Sequence, residues 1–152
     1  MRQLHSSPML TAAYTWRYRR SMALEHFDWE VGDVLVVNLT GPITLGPGTR
    51  EFRQLITDTL ESGRKNILLN MAEVYYIDSS GLGELVAAYT ASTRRGGKLK
   101  LMKLTQRVQD VVQLTKVYRI FEVFDDEATA VRSFEVIPDL KTEPGPEPGP
   151  AA

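Results

Sequence analysis

Between residues 24 and 135 the apolar positions follow two alternating periods. The run Val-Leu-Val-Val-Asn-Leu at 34–39 is nearly continuous and β-branched, with Asp33 before it and Gly41-Pro42 after it. A short apolar run closed by turn residues reads as a strand buried on both faces. Residues 23–31 alternate less cleanly through Leu24, His26, Phe27, Trp29 and Val31, and pair with that strand as a hairpin across Gly32-Asp33. Phe52, Leu55, Ile56 and Leu60 then share one helical face, and Gly63 suits the stop. Residues 66–71 are a second buried strand, followed by a short apolar stretch at 74–77. Leu82, Leu85, Val86 and Tyr89 recur at helical spacing, and Arg94 and Arg95 occupy the last turn, where cations oppose the negative end of the dipole. Residues 98–104 alternate as a strand. Thr105 caps a helix over 106–117 with Val108, Val111, Val112 and Thr115 inward, 120–124 is a short strand, and 125–134 is a last helix with acids in its first turn.

Strands alternating with helices predict an α/β domain over residues 23–136, with a small, mixed, mostly parallel sheet and helices mainly on one side. The ends differ in composition. Residues 1–22 carry Arg2, Arg17, Arg19 and Arg20 and no acid, which suits a transit peptide, a flexible extension, or upstream sequence ahead of a start at Met22. Residues 137–152 repeat Glu-Pro-Gly-Pro, the composition of an extended, disordered tail or of a proline-motif ligand. Within 152 residues there is room for one ordinary domain. A formal net charge of -1 gives no reason to expect nucleic acid or an anionic membrane as partner, and no apolar run reaches the ~20 residues of a membrane span. The absence of cysteine excludes disulfides and thiolate metal sites and fits a cytoplasmic location. The two histidines, His5 and His26, lie in contexts that suggest neither metal nor cofactor. Without heptads or a symmetric apolar stripe, a monomer is expected for the free chain.

Candidate chemistry concentrates at residues 77–83, Ile-Asp-Ser-Ser-Gly-Leu-Gly, at the entry to a helix. Asp and Ser are preferred N-cap residues. A cap alone leaves Gly81 and Gly83 unexplained, since each costs about 1 kcal/mol relative to alanine inside a helix. A first turn without Cβ atoms lets another backbone approach, and its free N–H groups favour an anion. From these residues alone, a structural cap and an anion-binding or modification site are both open.

The segment MAEVYYIDSSGLGELVAAYTASTRRGGKLKL, residues 71–101, resembles the central signature of STAS domains, and most of all that of the bacterial anti-sigma factor antagonists. These share an apolar residue, Asp-Ser-Ser/Thr-Gly-Leu-Gly, a helix, a glycine pair and a strand. The resemblance extends over about residues 24–135, through VLVVNLTG at 34–41 and LTKVYRIFEVFDDEATAV at 114–131. It implies a serine phosphorylated by a cognate anti-sigma factor kinase, with the unphosphorylated form binding that kinase and releasing its sigma factor. Carried over residue by residue, Ser79 is the phosphorylation site, and Asp78, Ser80, Gly81, Leu82 and Gly83 complete the partner-binding turn. One segment departs from the pattern. After the first strand the family usually has Gly-x-Leu/Ile-Asp, with the acid near the acceptor, and here GPITLGPG places Thr44 at that position. An unregulated protein-interaction module is therefore one alternative. A STAS ligand-binding module for a nucleotide or lipid headgroup is the other.

Two further features have ordinary readings. Arg94, Arg95, Lys98, Lys100, Lys103 and Arg107 form a basic run, but lysines alternating with apolar residues are the usual outward face of a strand. Tyr75-Tyr76 reads as an aromatic pair on a buried strand more readily than as a base-stacking platform. Serine hydrolase chemistry needs a base held beside the nucleophile, and neither a Gly-x-Ser-x-Gly elbow nor a histidine near the serines is present, so no enzyme is expected.

Overall fold

The computed structural model describes residues 23–135; the N-terminal extension and the proline-rich tail lie outside them. Strand β1 (Glu25–Val31) turns at Gly32, φ +60°, into β2 (Val34–Thr40), and the two pair antiparallel from Glu25↔Thr40 to Val31↔Val34. Helix α1 (Pro47–Glu61) leads to β3 (Asn66–Glu73), α2 (Ser79–Arg94) to β4 (Lys98–Met102), and α3 (Gln106–Leu114) through a 3-10 turn to the two-residue β5 (Val123–Phe124). The short α4 (Glu127–Arg132) follows. Strands β2 to β5 are parallel, and the sheet order β1-β2-β3-β4-β5 repeats the chain order.

That order explains where the helices lie. Each crossover steps one strand in the same direction, and right-handed connections repeated this way put successive helices on one face. Leu35, Val37, Leu39, Ile67, Leu69, Leu99 and Leu101 accordingly meet Phe52 and Ile56 of α1, Leu82 and Leu85 of α2, and Val108 and Val112 of α3 in one core. The opposite face carries Val34, Val36, Leu68 and Met102, covered by Ala130 and Phe134 at α4. The expected mixed, mostly parallel sheet is present, with three of the four helices on one side.

Several local expectations are corrected. Lys100 does not point outward: it is 4% exposed, because α4 covers the face that the alternation of β4 assigned to solvent. Its Nζ donates to the carbonyl and hydroxyl oxygens of Ser133, both at 2.9 Å, lies 3.4 Å from Glu122 Oε1, and sits over the Phe134 ring. Tyr75 and Tyr76 are exposed and belong to no strand, since β3 ends at Glu73 and a turn from Val74 N to Met71 O lifts the chain away. Helix α2 begins at Ser79, three residues before the apolar periodicity starts at Leu82, because Asp78 caps it there. Thr115 ends α3 as an exposed C-cap instead of facing inward; its hydroxyl donates to Val111 O at 2.8 Å and the next residue, Lys116, is left-handed. The fifth strand is two residues long; upstream of it Phe121 leaves the sheet to pack edge-on against Tyr89, with centroids 5.6 Å apart.

Candidate functional site

The carboxyl ends of β2 and β3 are where loops leave an open parallel sheet, the usual place for a site in such folds. Here two loops are bound to each other. Ile43 and Ile77 form an isolated parallel bridge: Ile43 N donates to Tyr76 O at 3.1 Å, and Asp78 N to Ile43 O at 3.4 Å. Both isoleucines are buried, so the bridge is anchored in the core while the residues around it face out.

Asp78 is the N-cap of α2, and both of its oxygens are engaged. Oδ1 accepts from Gly81 N at 2.8 Å, and Oδ2 accepts from Leu45 N at 3.0 Å in the neighbouring loop. A serine cap has a single oxygen and reaches one loop less well; the second carboxylate oxygen lets one side chain both start the helix and fasten the β2–α1 loop. Ser79 is the first helical residue and exposed; Ser80 is the second and half-buried. Neither hydroxyl makes a hydrogen bond among the described residues, and first-turn N–H groups have no acceptor inside their own helix.

The two glycines have different causes. A Cβ on Gly81 would lie 1.9 Å from the carbonyl oxygen of Ile43 and 2.8 Å from Ile77 Cγ1, so this glycine exists to admit the chain's own β2–α1 loop. At Gly83 nothing lies within 4 Å of the added atom. Leu82 is 6% exposed and packs into the main core. Within the turn expected to meet a partner, the outward atoms therefore belong to Ser79, Ser80 and Gly83, while Gly81 and Leu82 face inward. Thr44 is half-buried and offers its carbonyl to Thr49 N at 3.0 Å. The nearby carboxylates of α2 and its cap are occupied: Asp78 by the two backbone donors, and Glu84 by Arg53, whose Nε is 3.2 Å from Oε2.

Leu45, which sequence reasoning did not single out, and Tyr76 and Arg107, to which it gave ordinary readings, complete the surface. Leu45 is 74% exposed although its backbone is held to Asp78, and Arg107 stacks over the Tyr76 ring at 5.6 Å from its centroid. The only sequence signal for Leu45 was its place in an otherwise Gly/Pro-rich loop.

The turn thus presents an exposed serine hydroxyl at a capped helix start, beside the C-terminal ends of β2 and β3 in a five-stranded sheet. The family model for the STAS domain matches residues 30–130. The chain belongs to the STAS domain family. This STAS domain is 26% identical over 106 residues to an anti-sigma F factor antagonist of Paenibacillus polymyxa, covering 68% of this chain and 89% of that protein. Its fold matches the crystal structure of the Thermotoga maritima protein tm1081, assigned as an anti-sigma factor antagonist, with a TM-score of 0.67 at 24% identity, covering 72% of this chain and 93% of that one. It also matches the Bacillus cell fate determinant SpoIIAA in its phosphorylated form, with a TM-score of 0.58 at 18% identity over 73% of this chain and all of the other.

Clefts elsewhere on the STAS domain do not reach this turn. One of about 530 Å³ lies between β1 and α1, lined by His26, Asp28, Glu51 and Asp58 among others, and one of about 420 Å³ lies at the opposite end of the strands around Gly32 and Lys65. No helix among the described residues is long and apolar enough to cross a membrane.

Proposed function

We propose that this STAS domain is an anti-sigma factor antagonist switched at Ser79. Unphosphorylated, it binds an anti-sigma factor kinase and frees a sigma factor; phosphate on Ser79 ends that binding. The observation that carries the reading is the state of Ser79 itself. It is exposed, its hydroxyl makes no hydrogen bond among the described residues, and it follows a cap whose carboxylate is already satisfied.

Phosphate at the first helical position adds nearly two negative charges where the helix dipole favours them, so the fold tolerates the modification. The same charge pressed into an interface shaped for a hydroxyl has no counter-ion. Burying it there weakens binding by about 3 kcal/mol or more, roughly a hundredfold in Kd. The domain performs no chemistry of its own in this scheme; it is the substrate of the kinase and its binding partner in turn.

The test is titration of the purified protein against the anti-sigma kinase of its own organism, with mass spectrometry after incubation with ATP. Phosphate is expected on Ser79. Ser79→Ala should bind and resist phosphorylation, and Ser79→Asp should fold normally and bind about a hundredfold more weakly. Tight binding by Ser79→Asp sinks the switch, and phosphate confined to Ser80 moves the acceptor. One observation favours a second reading, the unregulated interaction module: both Asp78 and Glu84 are otherwise engaged, and Thr44 occupies the position to which the resemblance assigns an acid. Under that reading the kinase partner is bound and no phosphate appears on any serine.

A further inference from the structure

An exposed leucine is ordinary on a protein surface, and alone it would indicate nothing. Leu45 differs in how it is held. Its N–H donates to Asp78 Oδ2 at 3.0 Å, the next residue Gly46 takes φ +114°, Gly46 N donates to Thr49 Oγ1 at 3.3 Å, and Thr49 N closes the turn onto Thr44 O at 3.0 Å. The backbone on either side of an apolar side chain that is 74% exposed is thus fixed by three hydrogen bonds, one of them donated to the carboxylate that caps the helix carrying Ser79. Tyr76 stands on the other loop of the same bridge, 41% exposed, its ring face covered by the Arg107 guanidinium. Among the described residues Arg107 has no carboxylate partner.

We infer that Leu45 and Tyr76 are the apolar anchors of the partner-binding surface around Ser79, and that the partner is an anti-sigma kinase presenting an apolar patch with a carboxylate facing Arg107. The inference rests on the reading of the Ser79 turn as the partner-binding site and adds which residues bind and what they meet. Three properties support it. The anchors are pre-organised, so docking does not have to order them, which is where much of the free energy of association is otherwise lost. Tyrosine and arginine are enriched among the few residues that dominate binding energies, ringed by energetically near-neutral contacts. Charge also fits: Arg107, held over the Tyr76 ring and without a carboxylate among the described residues, leaves a cation for a partner's carboxylate to meet. Asp78 then has a positioning role, because the carboxylate that caps α2 through Oδ1 also sets the place of Leu45 through Oδ2.

A second exposed apolar group, Leu114, Tyr118, Ile120 and Val123, between the end of α3 and β5, lies outside the Ile43–Ile77 loop pair and supplies the control. Calorimetric titration of the 152-residue chain with its anti-sigma kinase would compare wild type with Leu45→Ser, Tyr76→Ser, Arg107→Glu, Leu114→Ser and Ser79→Asp, each checked for an unchanged melting temperature. Leu45→Ser and Tyr76→Ser are expected to weaken binding by about tenfold or more, Arg107→Glu comparably, and Leu114→Ser to stay within roughly twofold. Should Leu45→Ser and Tyr76→Ser bind as wild type while Ser79→Asp is weakened, the anchors are wrong and the switch stands. Should the anchor variants weaken binding while Ser79→Asp does not, the surface stands and the phosphate switch falls. Equal loss on Leu114→Ser would overturn the assignment of this face.

Discussion

Single atoms decide most of what happens at the Ser79 turn. Two glycines within three residues invite one explanation, but the added Cβ atom separates them. At Gly81 it would sit 1.9 Å from Ile43 O, a backbone atom fixed by the Ile43–Ile77 bridge. At Gly83 it meets nothing. Gly81→Ala is therefore expected to destabilise the domain by about 1–3 kcal/mol, the range for overpacking a site that cannot move. Gly83→Ala should stabilise it by up to about 1 kcal/mol, since alanine is the better helix former and space is available. Urea unfolding of the two variants beside wild type checks both signs; equal stability of Gly81→Ala and wild type would mean that the β2–α1 loop yields. A glycine pattern in sequence shows that bare backbone is wanted and not who wants it, which is why Gly81 and Gly83 looked alike there.

At the scale of elements, α4 is the piece whose placement matters most relative to its six residues. It buries Lys100, and Asp126 starts it by accepting from Thr129 N at 2.8 Å. Thr129, through that backbone N–H and then its hydroxyl, holds the Asp126 carboxyl below its ordinary value of 3.8. A carboxyl depressed in the folded state contributes stability above its unfolded value, and that contribution is lost as pH falls through the lower folded value. Detachment of α4 in acid should thus set in below pH 3.8 and be visible at Trp29, whose Nε1 donates to Glu127 Oε2 at 3.2 Å. In a Trp16→Phe background, Trp29 fluorescence should report that acid step, and Asp126→Ala should flatten it by loosening α4 at neutral pH. Lys100→Ala removes the bonds to Ser133 and leaves a void, and should cost about 2 kcal/mol by urea unfolding, with Lys100→Met losing less because it keeps the volume. An unchanged Lys100→Ala would show that α4 is held by Ala130 and Phe134 alone.

The whole molecule is arranged around one consequence of its strand order. Because chain order and sheet order coincide, three helices crowd one face and the C-terminal ends of β2 and β3 bring their loops together above it. The buried apolar side chains run from Leu24 to Phe134, and the family match covers residues 30–130. A chain of residues 22–138 should consequently melt within a few degrees of the 152-residue chain, a shift worth under about 1 kcal/mol in a domain of this size. Calorimetry on both chains measures it, and a much larger drop would mean that one of the ends contributes to the core.

Local pattern alone determined the element types, the helix faces at Phe52–Leu60 and Leu82–Tyr89, the two strands buried on both sides, and the Asp-Ser-Ser-Gly signature that marks the site. Those signals are short-range: period, caps and turn residues are written within a few positions of the structure that they specify. Tertiary contact decided the rest. Lys100 became buried because a helix thirty residues later lies across it, and Tyr76 became exposed because β3 stops early. Leu45 joined the Ser79 surface because Asp78 spends its second oxygen on a loop thirty-three residues away. A carboxylate carries no mark in sequence of which distant donor it will accept from, so that partnership appears only when the two loops meet.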